Sequence, residues 1–339
     1  MVKALVLLSG GLDSMLAAKI LMEQGIEVTG LSFKSNFFGT TKAKKVAEQL
    51  GIKLIEVDFS AEHFIMVKNP KHGYGKNMNP CIDCHAMMLK KAKEIMDREG
   101  FDFVATGEVL GERPMSQNAE ALKTVEKESG LAGRLIRPLS AKLLAESGLE
   151  KSGKVIREKL LDISGRSRKP QLALVKKYGI KEYSSPGGGC LLTDPVFSEK
   201  LKKMFEYWPE SDGLDAQLIK YGRMFWLKDQ VGEYVLLVIG REKEDNEQLE
   251  KIAKPGDVLI KIDPLVAGPT SIIRIKNYEL RIKNEIRETD VPEGLKLREF
   301  KLDEKKSEKE ILEIATILTG YYATKSRGKK VKLEIQIKK

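Results

Sequence analysis

The fold is decided by Leu5-Val6-Leu7-Leu8-Ser9-Gly10-Gly11-Leu12-Asp13-Ser14-Met15. An apolar run stops at Ser-Gly-Gly and resumes with helix-forming residues, which predicts a buried strand, a tight turn and the start of a helix. Such a turn suits a phosphate, because Gly10 and Gly11 let the backbone approach an anion and the hydroxyls of Ser9 and Ser14 add donors. The stretch matches neither the Walker loop nor Gly-x-Gly-x-x-Gly. An ordinary strand-to-helix turn is the alternative interpretation.

Length and composition indicate a globular protein. The chain has 339 residues, of which 42% are hydrophobic, so it can form two domains with proper cores. The apolar run at 4–8 is too short for a signal peptide or a membrane span, and we therefore expect a cytoplasmic protein that does not associate with membranes. The three cysteines cannot all pair with one another and are better explained as ligands or nucleophiles.

The formal net charge of +10 is unevenly distributed. Residues 151–180 carry nine Lys or Arg against two acids, and residues 321–339 carry seven against one. Two separated basic patches suit a long polyanion whose phosphates are met at more than one place. The alternative is a solvated lysine-rich surface of the kind that heat-stable proteins accumulate.

Strand and helix patterns alternate through the first half of the chain. Strands are predicted at 26–33, 53–59, 101–106 and 134–140. Helices are predicted at 12–22 and 41–50, and a further helix from residue 80 to about residue 98. This alternation predicts an α/β fold with a doubly wound parallel sheet. In such sheets ligands bind beyond the carboxyl ends of the strands.

A pair of cysteines follows the third strand, in Asn79-Pro80-Cys81-Ile82-Asp83-Cys84-His85. Asn79 is predicted to cap a helix and Pro80 to be its first residue, and a helix start lowers the pKa of a thiol. Cys-x-x-Cys indicates metal binding or redox chemistry, and with His85 it also matches the attachment site of haem c. That attachment normally accompanies export, so we interpret His85 as a helix residue rather than a ligand.

Two further segments carry candidate site residues. The polar stretch 162–171 contains Arg166, Arg168 and Lys169, which would contact an RNA backbone or neutralise a leaving pyrophosphate. A structural loop paired to nearby acids is the alternative. Three glycines directly before Cys190 indicate a backbone that passes close to a bulky inorganic group at that sulfur, with a flexible interdomain linker as the alternative.

The pattern changes after a linker predicted at 196–213, which separates a first domain at 1–195 from a second at 214–339. Short strands at 221–227, 234–239, 257–262, 271–275 and 279–282, with a helix at 242–252, predict a smaller α+β domain. The stretch from Gly222 to Arg274 resembles the RNA-binding module of the NFACT ribosome quality-control proteins. The resemblance implies RNA contacts at Arg274. A helix at 305–322 and a lysine-rich tail with Lys329 and Lys330 would add backbone contacts.

Ser-Gly-Gly-Leu-Asp-Ser at 9–14 resembles the pyrophosphate-binding loop of the PP-loop ATP pyrophosphatases. Together with Cys-x-x-Cys and Cys190, the pattern over 1–195 is similar to the tRNA thiouridine synthetases. The resemblance implies ATP cleavage between the α and β phosphates, with Asp13 near Mg²⁺. It also implies that the nucleotide is bound by residues after the second strand and around the fourth: Leu31, Ser32, Phe33, Thr106, Gly107, Ser116 and Gln117. Core packing and ordinary turn chemistry are the alternatives for these residues.

The resemblance implies that a uridine carbonyl of tRNA is adenylated and that sulfur then displaces AMP. Cys81, Cys84 and Cys190 fit a 4Fe–4S cluster that keeps one iron open for hydrosulfide. In the alternative mechanism Cys190 carries a persulfide, which Cys81 or Cys84 resolves. The sulfur donor would be sulfide or a cysteine desulfurase, and the sequence is compatible with a homodimer.

The sequence departs from the 4-thiouridine synthetases in two respects. The strand of the pyrophosphate loop comes first, without the THUMP domain that precedes it in that family, and no rhodanese-type sulfur carrier is visible. Both 2-thiolation and 4-thiolation therefore remain open. The rival functions are a small-molecule sulfur insertase and an RNA-binding factor with a vestigial nucleotide domain.

Overall fold

The computed structural model describes residues 1–183, 189–263, 267–276 and 282–339. These residues form two compact units, Met1–Ser198 and Glu199–Lys339. The predicted α/β fold with a second, smaller α+β domain is confirmed. None of the helices in the described ranges combines the length and the apolar character needed to cross a membrane.

The first unit is built on a parallel sheet. Its strands are β1 (Lys3–Leu7), β2 (Glu27–Lys34), β3 (Leu54–Asp58), β4 (Phe103–Ala105) and β5 (Leu135–Ile136). They lie in the order β3-β2-β1-β4-β5, and every neighbouring pair is parallel. The register pairs Lys3 with Glu27 and Ala4 with Phe103. The fifth strand is much shorter than predicted, because its pairing with β4 ends at Ile136.

Helices cover both faces of this sheet. They are α1 (Leu12–Met22), α2 (Thr41–Leu50), α3 (Ser60–Lys68), α4 (Cys81–Glu99), α5 (Ala119–Ser129), α6 (Gly148–Lys151) and α7 (Lys169–Tyr178). Alternate residues of β1 point to opposite faces: Val6 packs with α1 and α2, whereas Leu5 packs with α4 and α5. A strand buried on both faces explains the continuous apolar run that precedes Ser9.

Two glycines allow the loop after β1 to be packed tightly. Gly10 has a φ of 80°, and a Cβ there would lie 2.6 Å from the carbonyl carbon of Lys42 in α2. A Cβ on Gly107, after β4, would lie 2.5 Å from the carbonyl carbon of Asp13. Only glycine permits both approaches, and they bring the starts of α1 and α2 and the end of β4 to the same loop.

Helix α4 begins one residue later than predicted. Its N-cap is Pro80, and no side chain bonds the first-turn N–H groups. Asn79, the predicted cap, instead accepts a hydrogen bond from the backbone N–H of Asn77 and donates one to the sulfur of Cys81. Asn79 therefore orders the cysteine-bearing turn rather than the end of the helix.

The linker expected at 196–213 is not a linker. Helix α8 (Pro195–Tyr207) occupies most of it, and α9 (Gly213–Leu218) follows after a short turn. Leu201, Met204 and Trp208 are buried, so this segment contributes apolar side chains to a core instead of crossing solvent.

The second unit contains a mixed sheet. Its strands are β6 (Arg223–Asp229), β7 (Tyr234–Ile239), β8 (Val258–Ile262), β9 (Thr270–Arg274), β10 (Glu285–Asp290), β11 (Lys305–Lys306) and β12 (Lys330–Ile337). The order is β10-β12-β8-β9-β7-β6-β11, antiparallel except for β6 and β11. The helices α10 (Lys243–Ile252) and α11 (Glu308–Tyr322) complete the unit, and α11 packs on one face of the sheet. Most of the strand predicted at 279–282 lies outside the described residues.

The lysine-rich tail is a strand of this sheet. In β12, Lys330 and Lys332 are exposed, whereas Val331, Leu333 and Ile335 are buried. Strict alternation over the strand explains why a highly charged segment still packs into the core. The final helix starts at Glu308, three residues later than expected, because Ser307 caps it together with Glu310.

Candidate active site

A cavity of about 540 Å³ lies beyond the carboxyl ends of β1, β2 and β4. The loop at 9–14 forms one wall, and the cysteine-bearing start of α4 forms another. Nearly all the residues predicted to bind nucleotide or sulfur line it: Ser9, Gly10, Gly11, Asp13, Ser14, Leu31, Ser32, Phe33, Cys81, Cys84, Thr106, Gly107, Gln117 and Cys190. Ser116 is buried but does not line the cavity.

The loop is organised by its own hydroxyl groups. Ser14 Oγ donates to the carbonyl of Gly11 at 2.9 Å and lies 3.4 Å from Ser9 Oγ, which accepts from the N–H of Gly11. Gly11 is the N-cap of α1 and supplies no side-chain cap. The first-turn N–H groups and the positive end of the helix dipole therefore remain available to an anion in the cavity.

A cation stands beside this anion site. Arg168 Nη2 donates to Asp13 Oδ2 at 3.1 Å and to Glu112 Oε1 at 3.0 Å, and all three residues line the cavity. Gln171 Nε2 lies 3.3 Å from Asp13 Oδ1. Glu112 and Gln171 were not predicted, since neither stands in a recognisable motif. Arg168 therefore belongs to the cavity, whereas Arg166 and Lys169 are exposed and outside it.

The three thiols lie at the same cavity. Cys84 is buried, and Cys81 and Cys190 are partly exposed. Burial raises the pKa of Cys84 well above its ordinary value, and the thiols of Cys190 and Cys81 raise it further by repulsion between negative charges. Burial, with a further contribution from Cys81, raises the pKa of Cys190 to about 12. The expected lowering of a thiol pKa at the helix start is thus wrong for Cys84, because desolvation outweighs the helix dipole.

The side chain of His63 contacts the sulfur of Cys84. Its Nε2 lies 3.2 Å from the sulfur of Cys84, and the ring is fully buried against Phe37, Phe38 and Phe59. Burial lowers the pKa of His63 to about 4, so the imidazole is neutral near pH 7. Its Nδ1 has no partner within the described residues. The sequence offered no signal for this contact, because His63 is an isolated histidine that belongs to no motif.

A buried ion pair joins Glu108, which lines the cavity, to Arg137. Glu108 accepts hydrogen bonds from Arg137 Nε at 2.9 Å, Thr106 Oγ1 at 3.0 Å and His85 Nδ1 at 2.9 Å. Burial opposes ionisation of Glu108, but Arg137 and His85 outweigh it and hold the pKa of Glu108 below its ordinary value. His85, expected to be only a helix residue, thus lines the cavity in a defined orientation.

In the second unit, one predicted RNA contact is wrong. Arg274 is buried, and its guanidinium donates to both carboxylate oxygens of Asp257, to Asp215 and to the carbonyl of Ile252. With its donors used inside the core, Arg274 cannot reach a phosphate. Lys329 and Lys330 are exposed, as such contacts require.

The sheet order, the uncapped Ser-Gly-Gly turn and the cavity beyond the strands define the first unit as a doubly wound α/β domain with a loop suited to an anion. Residues 1–142 match the model of the family described as "Thiamine biosynthesis protein (ThiI)". The resemblance to PP-loop enzymes of the tRNA sulfurtransferase type is therefore confirmed for this part of the chain.

Curated relatives carry the description "tRNA-specific 2-thiouridylase MnmA". The protein from Treponema denticola is 36% identical over 127 residues, which cover 31% of this chain and 32% of that protein. The protein from Pseudomonas fluorescens is 28% identical over 282 residues, or 76% of this chain and 69% of that protein. The chain thus spans between a third and about two thirds of the length of these relatives.

Among solved structures, a 4-thiouridine synthetase in complex with RNA and bound ATP is 22% identical, with a TM-score of 0.34 over 61% of this chain and 51% of that chain. A predicted subunit of a tRNA methyltransferase from Methanocaldococcus jannaschii is 18% identical, with a TM-score of 0.33 over 52% of this chain and 76% of that chain.

Proposed function

We propose that this protein is an ATP-dependent tRNA sulfurtransferase, which adenylates a uridine carbonyl at C2 or C4 and replaces its oxygen with sulfur. The observation that carries the proposal is that the pyrophosphate loop and all three cysteines line one cavity of about 540 Å³. Adenylation and sulfur transfer occur at the same carbonyl, so the two sets of groups must meet at one base. The names of the curated relatives support tRNA as the substrate.

ATP fits the cavity on chemical grounds. The free N–H groups of α1 and the loop at 9–14 suit its phosphates. Leu31, Ser32 and Phe33 line the wall where the adenine would bind. Gln117 is buried and lines the cavity, and its Oε1 has no hydrogen-bond partner in the described part of the chain. A buried acceptor without a partner is costly, and an N–H group of a bound nucleotide would satisfy it.

Mg²⁺ fits the carboxylates at the loop, since it prefers oxygen ligands and usually binds together with substrate phosphates. Asp13 and Glu112 would hold the ion, and it would supply positive charge to the leaving pyrophosphate. Both carboxylates now bond Arg168. Binding of the nucleotide would therefore change the partners of both groups. Arg168 would leave the carboxylates and bond the phosphates, and Asp13 would bind the metal.

In the first step the carbonyl oxygen of the base attacks the α-phosphorus of ATP. An O–P bond forms, the bond to the β-phosphate breaks, and pyrophosphate leaves with the bonding electrons. The N–H groups of the loop and the guanidinium of Arg168 stabilise the charge that gathers on the leaving group. A sulfur nucleophile at the cysteines then attacks the activated ring carbon, and AMP departs with the former carbonyl oxygen.

Cys81, Cys84 and Cys190 would hold a 4Fe–4S cluster. The set fits, because three sulfurs line one cavity and soft thiolate ligands suit iron. The raised pKa of Cys84 and of Cys190 also fits, since buried thiols without a cation stay protonated and lose their protons on metal binding. When bound, such a cluster would supply an open iron for hydrosulfide, taken from free sulfide or released from the persulfide of a desulfurase when a thiol reductant attacks it and forms a disulfide. The alternative is a persulfide on Cys190.

Contacts with the tRNA backbone would come from exposed cations. Arg166 and Lys169 are exposed in the first unit, and Lys329 and Lys330 in the second. The resemblance of the second unit to the NFACT module supports a role in RNA binding. The target base must leave its stack to reach the cavity.

The test is a reconstitution under anaerobic conditions with ATP, Mg²⁺, sulfide and tRNA transcripts. We expect pyrophosphate release that depends on tRNA, and a thiolated nucleoside that mass spectrometry assigns to 2-thiouridine or 4-thiouridine. Pyrophosphate release without tRNA, or tRNA that gains no sulfur with iron-loaded protein, would refute the proposal.

A further inference from the structure

Arg113 is a cation of the cavity wall that bonds no carboxylate in the described ranges. The described part of the wall contains three Lys or Arg side chains: Lys42, Arg113 and Arg168. Arg168 is bonded to two carboxylates, and Lys42 packs against Gly10 in the loop. The guanidinium of Arg113 makes neither a hydrogen bond nor an ion pair with any residue that the structure describes. An arginine is charged at every physiological pH, so Arg113 gives the cavity a permanent positive charge.

A closed turn fixes the backbone of Arg113 at this wall. The N–H groups of Ser116 and Gln117 both donate to the carbonyl of Arg113, at 3.2 Å and 2.8 Å. The N–H of Gly111 donates to the carbonyl of Gln117 at 2.7 Å, and Gln117 is itself buried at the cavity. The side chain of Arg113 is exposed. Its guanidinium can therefore bond an anion in the cavity without a movement of the main chain.

Arg113 has the nucleotide loop on one side and a cysteine on the other. Its neighbour Glu112 bonds Arg168 beside the loop at 9–14. On the other side, burial raises the pKa of Cys190, and the positive charge of Arg113 is close enough to that sulfur to oppose the effect in part. Arg113 is thus placed where the phosphate end of the cavity adjoins the sulfur end.

The α-phosphate occupies that same region in the second step of the proposed reaction. The β and γ phosphates bind the loop during the first step, and afterwards the former carbonyl oxygen joins the α-phosphorus to the ring carbon that sulfur attacks. The phosphate of the adenylated base carries one negative charge. When the carbon–oxygen bond breaks, the oxygen takes the electron pair, and AMP leaves with a second negative charge.

We propose that the guanidinium of Arg113 bonds the α-phosphate of the adenylated base and stabilises the charge that AMP acquires as it leaves. This inference rests on the proposed function. The sulfur of hydrosulfide forms a bond to the ring carbon, the bond from that carbon to oxygen breaks, and the proton of hydrosulfide moves to N3 of the base. A cation already in place beside the developing charge lowers the barrier to this step. Arg113 is a catalytic residue of the second step, whereas Arg168 acts on the pyrophosphate of the first.

The experiment separates the two steps with the full-length, iron-loaded protein under anaerobic conditions. ATP labelled at the α-phosphate is first mixed with tRNA in the absence of sulfide. The burst of pyrophosphate reports the first step, and the label is retained on the adenylated tRNA. Sulfide is then added, and the rate at which labelled AMP appears reports the second step.

Arg113→Gln should release the pyrophosphate burst within about threefold of the wild-type rate, because a contact that is equally strong before and during a step does not change its rate. It should slow the release of AMP by about 10²–10³-fold, the effect of losing one electrostatic group at a reacting centre. Arg113→Lys keeps the positive charge and should be slowed less than Arg113→Gln. Arg98→Gln, an exposed change at the end of α4 outside the cavity, is the matched control and should release AMP at the wild-type rate.

Wild-type release of AMP by Arg113→Gln, or equal slowing of both steps, would overturn the inference alone. Weaker binding of tRNA with an unchanged rate of AMP release would also overturn it, and would assign Arg113 to a phosphodiester of the tRNA strand. A wild-type protein that transfers no sulfur to tRNA would overturn the proposed function and this inference together.

Discussion

Arg168 Nη2 donates a hydrogen bond to Asp13 Oδ2 at 3.1 Å, although 155 positions separate the two residues in the chain. The contact places the basic segment after β5 next to the loop that follows β1. A guanidinium is thereby held beside the loop that we propose to bind phosphate. Arg168 lines the cavity, whereas its neighbours Arg166 and Lys169 are exposed outside it, where we propose that they contact the backbone of an RNA.

Asp13→Asn removes the charge that would hold Mg²⁺ while keeping the shape of the side chain. We expect pyrophosphate release to fall by about 10²–10³-fold, the usual effect of losing one electrostatic group in a reacting site. The measurement is the rate of pyrophosphate release at saturating tRNA. Asp97→Asn, an exposed change in the same unit outside the cavity, should leave the rate unchanged. A rate above a tenth of wild type for Asp13→Asn would argue against metal binding at this carboxylate.

Arg168→Gln and Arg166→Gln separate nucleotide binding from RNA binding. The first should weaken ATP turnover, since Arg168 lies in the cavity, and leave the salt dependence of tRNA affinity unchanged. The second should leave turnover at saturating tRNA intact and lower the slope of log affinity against log salt by about one, as expected for one lost phosphate contact. The reverse pattern would contradict the assignment of Arg168 to the nucleotide.

Serine substitutions at Cys81, Cys84 and Cys190 distinguish the two forms of sulfur chemistry. A cluster needs all three thiols, so each variant should lose iron and thiolation to the same extent, while pyrophosphate release persists. Iron content, the visible absorption spectrum and thionucleoside yield are the measurements. One dispensable cysteine would instead support a persulfide on Cys190 that a single partner resolves.

Glu108→Gln tests the buried ion pair through the pH dependence of stability. The pKa of Glu108 lies below its unfolded value of 4.5, so its carboxylate stabilises the fold above pH 4.5 and this contribution is lost as the pH falls further. Removing it leaves the buried Arg137 with one carboxylate partner, Glu126, instead of two, which should cost about 2 kcal/mol near pH 7. The difference from wild type should shrink below pH 4.5.

Urea unfolding of the metal-free protein at several pH values measures this difference. Glu120→Gln, an exposed change in α5, should alter the free energy of unfolding by no more than about 0.5 kcal/mol. A difference for Glu108→Gln that is constant across the pH range would show that Glu108 is not ionised in the fold.

Arg274→Met separates a structural arginine from an RNA contact. It leaves Asp257 and Asp215 buried with less positive charge, so we expect the second unit to lose about 3–5 kcal/mol of stability. Lys330→Met, an exposed change in β12, should have little effect on unfolding. An Arg274→Met protein with wild-type stability and weakened tRNA binding would restore the original interpretation of this residue.

The sequence predicted the bounds of helices best where a glycine follows the end of the helix. Helices α1 and α2 have the bounds predicted for them, and α2 ends at Gly51 with a φ of 66°. The sequence predicted secondary structure least well where a segment has a charged composition but packs into the core through tertiary contacts. The lysines at the end of the chain predicted a tail that contacts an RNA backbone and gave no sign of a strand, but alternate apolar residues pack β12 into the core next to β8.

The sequence by itself determined the nucleotide loop and the cysteine pair, because each depends on a few neighbouring residues with fixed spacing. Only the tertiary structure decided which charges meet: Arg168 with Asp13, His85 with Glu108, and Arg274 with Asp257. These partners are far apart in the chain, and burial sets the energy of each contact. A pattern of residues states neither the distance between two side chains nor their exposure to water, and those quantities separate an arginine that binds a substrate from one that stabilises a core.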